Sequence, residues 1–140
     1  MSLEIKNIMH KPPLYISVTS TIYEGARKMS DENKGSLLIG DDNELKGIVT
    51  ERDIIRAIAA GKDLNTKIIE IATKENLITI NEEDNITKAA VLMSKHNIRH
   101  LIVKSGNKVL GILSTRDLMR ERNTLKELSK VKNSEWYGSD

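Results

Sequence analysis

Gly47-Ile48-Val49-Thr50-Glu51-Arg52-Asp53 returns 64 positions later as Gly111-Ile112-Leu113-Ser114-Thr115-Arg116-Asp117. Each copy reads as the end of a strand running into the start of a helix. A short apolar run precedes a Thr or Ser where a helix would begin, and an Asp follows three residues on. The same offset maps Ile16 to Ile80, Ile22 to Ile86, Ala26 to Ala90, Met29 to Met93, Ile39 to Val103 and Asn43 to Asn107. A repeat of this length is the signature of a duplicated structural unit. One unit alone could scarcely cover its apolar faces, so the two copies are expected to pack together about a pseudo-twofold axis.

The first copy predicts a turn of helix over Leu3 to Met9, stopped at Pro12-Pro13 because proline removes a backbone donor and restricts its neighbour. Leu14 to Val18 alternates as a strand. Thr21-Ile22-Tyr23-Glu24 has capping-box form, with Ile22, Ala26 and Met29 at helical spacing, and Asn33 to Gly35 suits the helix end. Ser36–Gly40 and Leu45–Val49 read as strands around the turn Asp41-Asp42-Asn43, and a helix runs from Glu51 to Ala60, stopped by Gly61. Lys62 to Thr66 reads as a polar linker. The order then restarts, with a helical lead-in at Ile68 to Ile71 and a strand at Leu77–Ile80. A helix carrying Ile86 to Met93 follows, then strands at Ile98–Val103 and Val109–Leu113 and a last helix from Thr115.

Composition bounds the function. Hydrophobic residues make up 39% and charged residues 30%, as in a globular domain. The core must come from aliphatic residues, because the only aromatics are Tyr15, Tyr23, Trp136 and Tyr137. The 22 basic and 20 acidic residues balance to +2, which gives no electrostatic case for nucleic acid or membrane. No Cys is present, so disulfides and thiolate metal sites are excluded, and a cytoplasmic location is the default expectation. His10, His96 and His100 lack metal-site spacing, and no nucleophile elbow, P-loop or dinucleotide fingerprint is present. Neither a catalytic site nor a metal site is expected.

Strand, helix, two strands about a turn, then Gly-apolar-apolar-Thr/Ser-x-x-Asp opening a helix: in this order, twice over, the chain resembles the CBS-domain family, named after cystathionine β-synthase. The likeness covers about residues 5 to 122. It implies an α+β fold of two β-α-β-β-α repeats packed through their sheets, at residues 5–63 and 67–122, with 123–140 as a helical extension and tail. A tandem pair of this kind is called a Bateman module. The resemblance implies a regulatory module rather than an enzyme, one that takes AMP, ADP, ATP or S-adenosylmethionine in clefts between the repeats and often pairs as a homodimer. No cofactor is required on this reading; an adenine nucleotide is the regulatory ligand, and any regulated protein partner is unnamed.

The chemistry of the motif fits that ligand class. A carboxylate at Asp53 or Asp117 can accept hydrogen bonds from both ribose hydroxyls. Thr50 and Ser114 stand at helix starts, where free amides favour a phosphate. The same spacing also makes a plain helix cap, so the pattern by itself fits both. In the family, the start of the second strand of one repeat faces the motif of the other. On that pattern one site would hold Thr50, Asp53, Arg99 and His100, with Ile48, Ala72, Thr73, Ile78 and Ile98 around the base. Arg99 could hold a phosphate in bidentate fashion, and His100 could add a donor. The other site would hold Ser114, Asp117, Gly35 and Ser36, with Met9, His10, Leu14 and Ile112 around the base. Gly35 and Ser36 supply no cation, so the two sites are expected to differ, and the Thr50 site to prefer the charged nucleotide.

Two alternatives stand beside the nucleotide sensor. One is an RNA-binding module using Arg120, Arg122, Lys126, Lys130 and Lys132 with Trp136 and Tyr137. The other is a structural dimerisation unit with vestigial clefts.

Overall fold

The computed structural model describes residues 4–120. They form an α+β fold in which the order β-α-β-β-α occurs twice. The first set is β1 (Tyr15–Ile16), α1 (Ile22–Glu32), β2 (Ser36–Gly40), β3 (Leu45–Thr50) and α2 (Glu51–Ala59). The second is β4 (Thr79–Asn81), α3 (Ile86–His96), β5 (His100–Ser105), β6 (Lys108–Ser114) and α4 (Thr115–Arg120). A single turn of 3-10 helix precedes each set, at Ile5–Asn7 and Ile68–Ile71. Each set makes its own three-stranded sheet, with the first strand parallel to the second and the second antiparallel to the third.

The described chain divides into two compact units, one formed by Leu14–Leu77 and the other by residues 4–13 together with 78–120. In the Leu14–Leu77 unit, Ile16, Ile22, Met29, Leu37, Ile39, Val49, Ile54, Ala57 and Ile68 form one apolar cluster. In the other, Ile5 and Met9 from the N-terminal segment join Ile80, Ile86, Met93, Leu101, Val103, Leu113 and Leu118. Ile5 is fully buried, so the N-terminal turn is part of that core. The 3-10 turn at Ile68 plays the same part for the Leu14–Leu77 core. Gly25 makes it possible, because a Cβ there would run into the Ile68 side chain.

Local chemistry sets the helix ends. Thr21 accepts the Glu24 amide at 3.1 Å and Glu24 accepts the Thr21 amide at 2.9 Å, the expected capping box of α1. Asn85 caps α3 by accepting the Lys88 amide at 3.0 Å. Asn33 and Asn97 end α1 and α3 in the left-handed conformation, with φ of 54° and 53°. That reversal delays β5, which starts at His100 rather than at the expected Ile98. Lys62–Thr66 is less of a free linker than its polarity suggests. The Ile22 and Tyr23 amides donate to the carbonyls of Thr66 and Leu64, at 2.9 and 3.1 Å, and the segment closes onto the start of α1. Among the described residues, no helix is long and apolar enough to cross a membrane. The expected tail at 123–140, and Arg122 with the Lys and aromatic residues beyond it, lie outside the described residues.

Candidate functional site

Each Gly-apolar-apolar-Thr/Ser-x-x-Asp motif sits where the third strand of a sheet becomes a helix. In the Leu14–Leu77 unit, Thr50 is the N-cap of α2. Its backbone amide donates to Asp53 Oδ2 at 2.9 Å, its hydroxyl donates to the same oxygen at 3.1 Å, and the Asp53 amide donates to Thr50 Oγ1 at 3.3 Å. Thr-x-x-Asp is therefore a capping box in fact. Yet the cap uses only one carboxylate oxygen. Asp53 Oδ1 has no hydrogen-bond partner among the described residues, and the side chain is half-buried at the helix start. Beside it, the Glu51 amide donates to the Gly35 carbonyl at 2.9 Å, and Ser36 pairs with Thr50 in the sheet.

The second motif repeats the cap. The Ser114 amide donates to Asp117 Oδ2 at 2.7 Å and the Asp117 amide donates to Ser114 Oγ at 3.1 Å. Its surroundings differ. Asp117 Oδ1 lies 2.7 Å from His10 Nε2, and the Asp117 side chain is only 2% exposed. The Thr115 amide donates to the Arg99 carbonyl at 3.0 Å, and His100 pairs with Ser114. Within each unit, then, the start of the second strand stands against that unit's own motif: Gly35 and Ser36 beside Thr50, Arg99 and His100 beside Ser114. The Arg99 residue is exposed, His100 half-buried and Ser36 buried.

The glycine of the motif has a role that its sequence context hides. In the first unit, Ile48 and Thr73 exchange backbone hydrogen bonds of 3.0 and 2.9 Å. A Cβ on Gly47 would stand 2.7 Å from the Thr73 carbonyl oxygen. In the second unit, Ile112 and His10 exchange the corresponding bonds, at 2.9 and 3.3 Å, and a Cβ on Gly111 would collide with the His10 carbonyl. Each glycine leaves room for the segment that leads into a first strand to lie against the motif strand. The signal in the sequence was the glycine's recurrence at one offset; nothing local names its partner.

Most residues expected around a base also serve a core. Met9 belongs to the cluster containing Ile5, and Ile78 and Ile98 pack against that cluster. Leu14 and Ala72 pack against the cluster of the Leu14–Leu77 unit. Ile48 is half-buried, Thr73 exposed and Ile112 buried. A separate cleft of about 410 Å³ opens along β1 and the β2–β3 turn, lined by Tyr15, Ile16, Ser17, Val18, Gly40, Asp41, Glu44 and Lys46. Burial, then the charges of Asp42 and Asp41, push the Tyr15 phenol above its ordinary pKa. This cleft contains neither motif. Among the described residues, no group of three or more His, Cys, Asp or Glu could hold a metal ion.

The CBS domain family model matches residues 5–60 and 68–123. The chain belongs to the CBS-domain family and carries a tandem pair of its domains. A CBS domain protein from Pyrobaculum aerophilum, solved in complex with AMP, is 34% identical. It superposes with a TM-score of 0.82 over 92% of this chain and 100% of that one. The CBS domain pair of protein MJ0100, solved with 5-methylthioadenosine and S-adenosyl-L-methionine, is 33% identical. Its TM-score is 0.77, over 86% of this chain and 95% of that one. The L-aspartate semialdehyde sulfurtransferase of Methanocaldococcus jannaschii is 34% identical over 118 residues, which are 83% of this chain but 22% of that enzyme.

Proposed function

We propose that this chain is a non-enzymatic regulatory module that binds an adenosine-containing nucleotide at the Thr50–Asp53 corner and signals by a change of conformation or assembly. One observation carries the reading: Asp53 caps its helix with Oδ2 and keeps Oδ1 without a partner among the described residues. A carboxylate oxygen so placed can accept from a ribose diol, and the positive end of the α2 dipole favours a phosphate. Support comes from the structural relatives, which are complexes with AMP, 5-methylthioadenosine and S-adenosyl-L-methionine. Calorimetric titration with AMP, ADP, ATP and S-adenosylmethionine tests the proposal. Binding of at least one, weakened by Asp53→Asn, is expected. Absence of heat for all four at millimolar concentration refutes it.

We also propose a homodimer. Ile55 and Ile58 of α2 are 65% and 55% exposed, an apolar pair on the outer face of a surface helix. Ile58→Glu is expected to give a monomer in analytical ultracentrifugation; an unchanged mass, or a monomeric wild type, removes this assignment.

A further inference from the structure

The two motifs are copies in sequence and in cap geometry, yet their carboxylates are in different states. We propose that His10 decides which repeat accepts a nucleotide: by holding Asp117 it closes the second motif, and the first stays open because Thr73 occupies the matching place. This inference rests on the ribose role assigned above to the motif carboxylate.

The equivalence of His10 and Thr73 comes from the backbone. Ile48 and Ile112 are the same position of the repeat, 64 apart. Ile48 forms an antiparallel bridge with Thr73, and Ile112 forms one with His10. Both bridges run over the motif glycine, whose missing side chain lets the lead-in segment approach. The lead-in therefore places one side chain beside each motif. In the second unit that side chain is an imidazole, and its Nε2 reaches Asp117 Oδ1 at 2.7 Å. In the first unit it is the exposed hydroxyl side chain of Thr73, and no hydrogen bond joins it to Asp53 among the described residues.

Competition follows from the chemistry of the acceptor. Asp117 accepts the Ser114 amide on Oδ2 and faces His10 on Oδ1, and its side chain is 2% exposed. A ribose diol requires the same carboxylate edge that His10 now covers. The imidazole must leave before a ribose can bind, and its departure leaves the buried Asp117 Oδ1 without its partner until the incoming hydroxyls replace it. Among the described residues, Asp53 carries no such barrier. His10 thus acts through Asp117 as a selectivity-determining residue, and the sequence difference between His10 and Thr73 sets a stoichiometry of one nucleotide per chain.

The test is a count of AMP bound per chain, by calorimetry and by equilibrium dialysis. Wild type is expected to bind one equivalent, weakened about 10- to 150-fold in Asp53→Asn. His10→Thr, which transplants the first unit's residue, is expected to bind two, and the second equivalent is expected to vanish in the double variant His10→Thr/Asp117→Asn. The converse exchange, Thr73→His, is expected to weaken the first site by at least about tenfold, the scale of one hydrogen bond to a charged group. His10→Ala serves as a second opening variant, and circular dichroism with thermal melting shows that each variant is folded. Two equivalents bound by wild type, or one equivalent bound by folded His10→Thr and His10→Ala, overturns this inference and leaves the Asp53 site standing. No AMP bound by wild type or by any folded variant overturns the proposed function and this inference together.

Discussion

Replacing Asp53 separates its two duties. Asp53→Ala removes the acceptor for the Thr50 amide and hydroxyl, now at 2.9 and 3.1 Å. Hydrogen bonds to a charged group contribute about 1.5–3 kcal/mol when buried, and this side chain is only half-buried. Discounted for solvent, the loss is about 1–2 kcal/mol, close to what capping residues typically contribute. For a chain of this size that lowers the melting temperature by about 3–8 °C. Asp53→Asn behaves differently. Its amide oxygen can replace Oδ2 in the cap, so stability is expected within about 1 kcal/mol of wild type. Its other terminal atom becomes an NH2 donor where Oδ1 was an acceptor, and the negative charge is gone. Loss of a charge-assisted contact of about 1.5–3 kcal/mol corresponds to a fall in AMP affinity of about 10- to 150-fold. Urea denaturation and calorimetric titration on the same preparations read both effects. If Asp53→Asn binds AMP within twofold of wild type while Asp53→Ala melts lower, Asp53 is a cap alone and the ribose assignment is wrong.

Further outcomes follow from the fold. Gly111→Ala puts a methyl group into the His10 carbonyl, and Gly47→Ala puts one 2.7 Å from the Thr73 carbonyl oxygen. Each is expected to cost about 1–3 kcal/mol or more in urea unfolding, since backbone cannot yield as a side chain can; a neutral Gly111→Ala would mean that the lead-in does not lie against β6. Ile5→Ala should cost about 2–5 kcal/mol, because Ile5 is fully buried in a core cluster. A cost below about 0.5 kcal/mol would show the N-terminal turn to be dispensable. Asn97→Gly is expected to be nearly neutral and Asn97→Ala to destabilise by about 1 kcal/mol, given its φ of 53°; equal melting temperatures for the two would contradict the left-handed cap.

Much of the fold was legible because its signals are local. Thr21 and Glu24 are three residues apart and their side chains meet in one turn, so a four-residue pattern suffices to predict the cap of α1. Asn33 announces the left-handed end of α1 by residue type. The +64 register revealed two copies of one unit, and the family resemblance rests on the same residues. Strand ends were less legible. The β5 start and the tying of Lys62–Thr66 to α1 depend on backbone partners that no side-chain pattern marks.

The sequence by itself determined that two equivalent strand-to-helix corners exist, each with a capping hydroxyl and a carboxylate three residues on. It also determined that the chain builds its core from aliphatic residues around those corners. Both properties are written in short-range patterns and in composition. Only the tertiary structure decided what each carboxylate faces. Asp117 and His10 are remote in the chain, and the contact between them arises because Gly111 admits a lead-in segment against β6. At the Asp53 corner a different lead-in, carrying Thr73, lies against the motif strand at Ile48. Long-range backbone pairing depends on which segments fold side by side, and so two corners that read alike in the sequence become one engaged carboxylate and one open one.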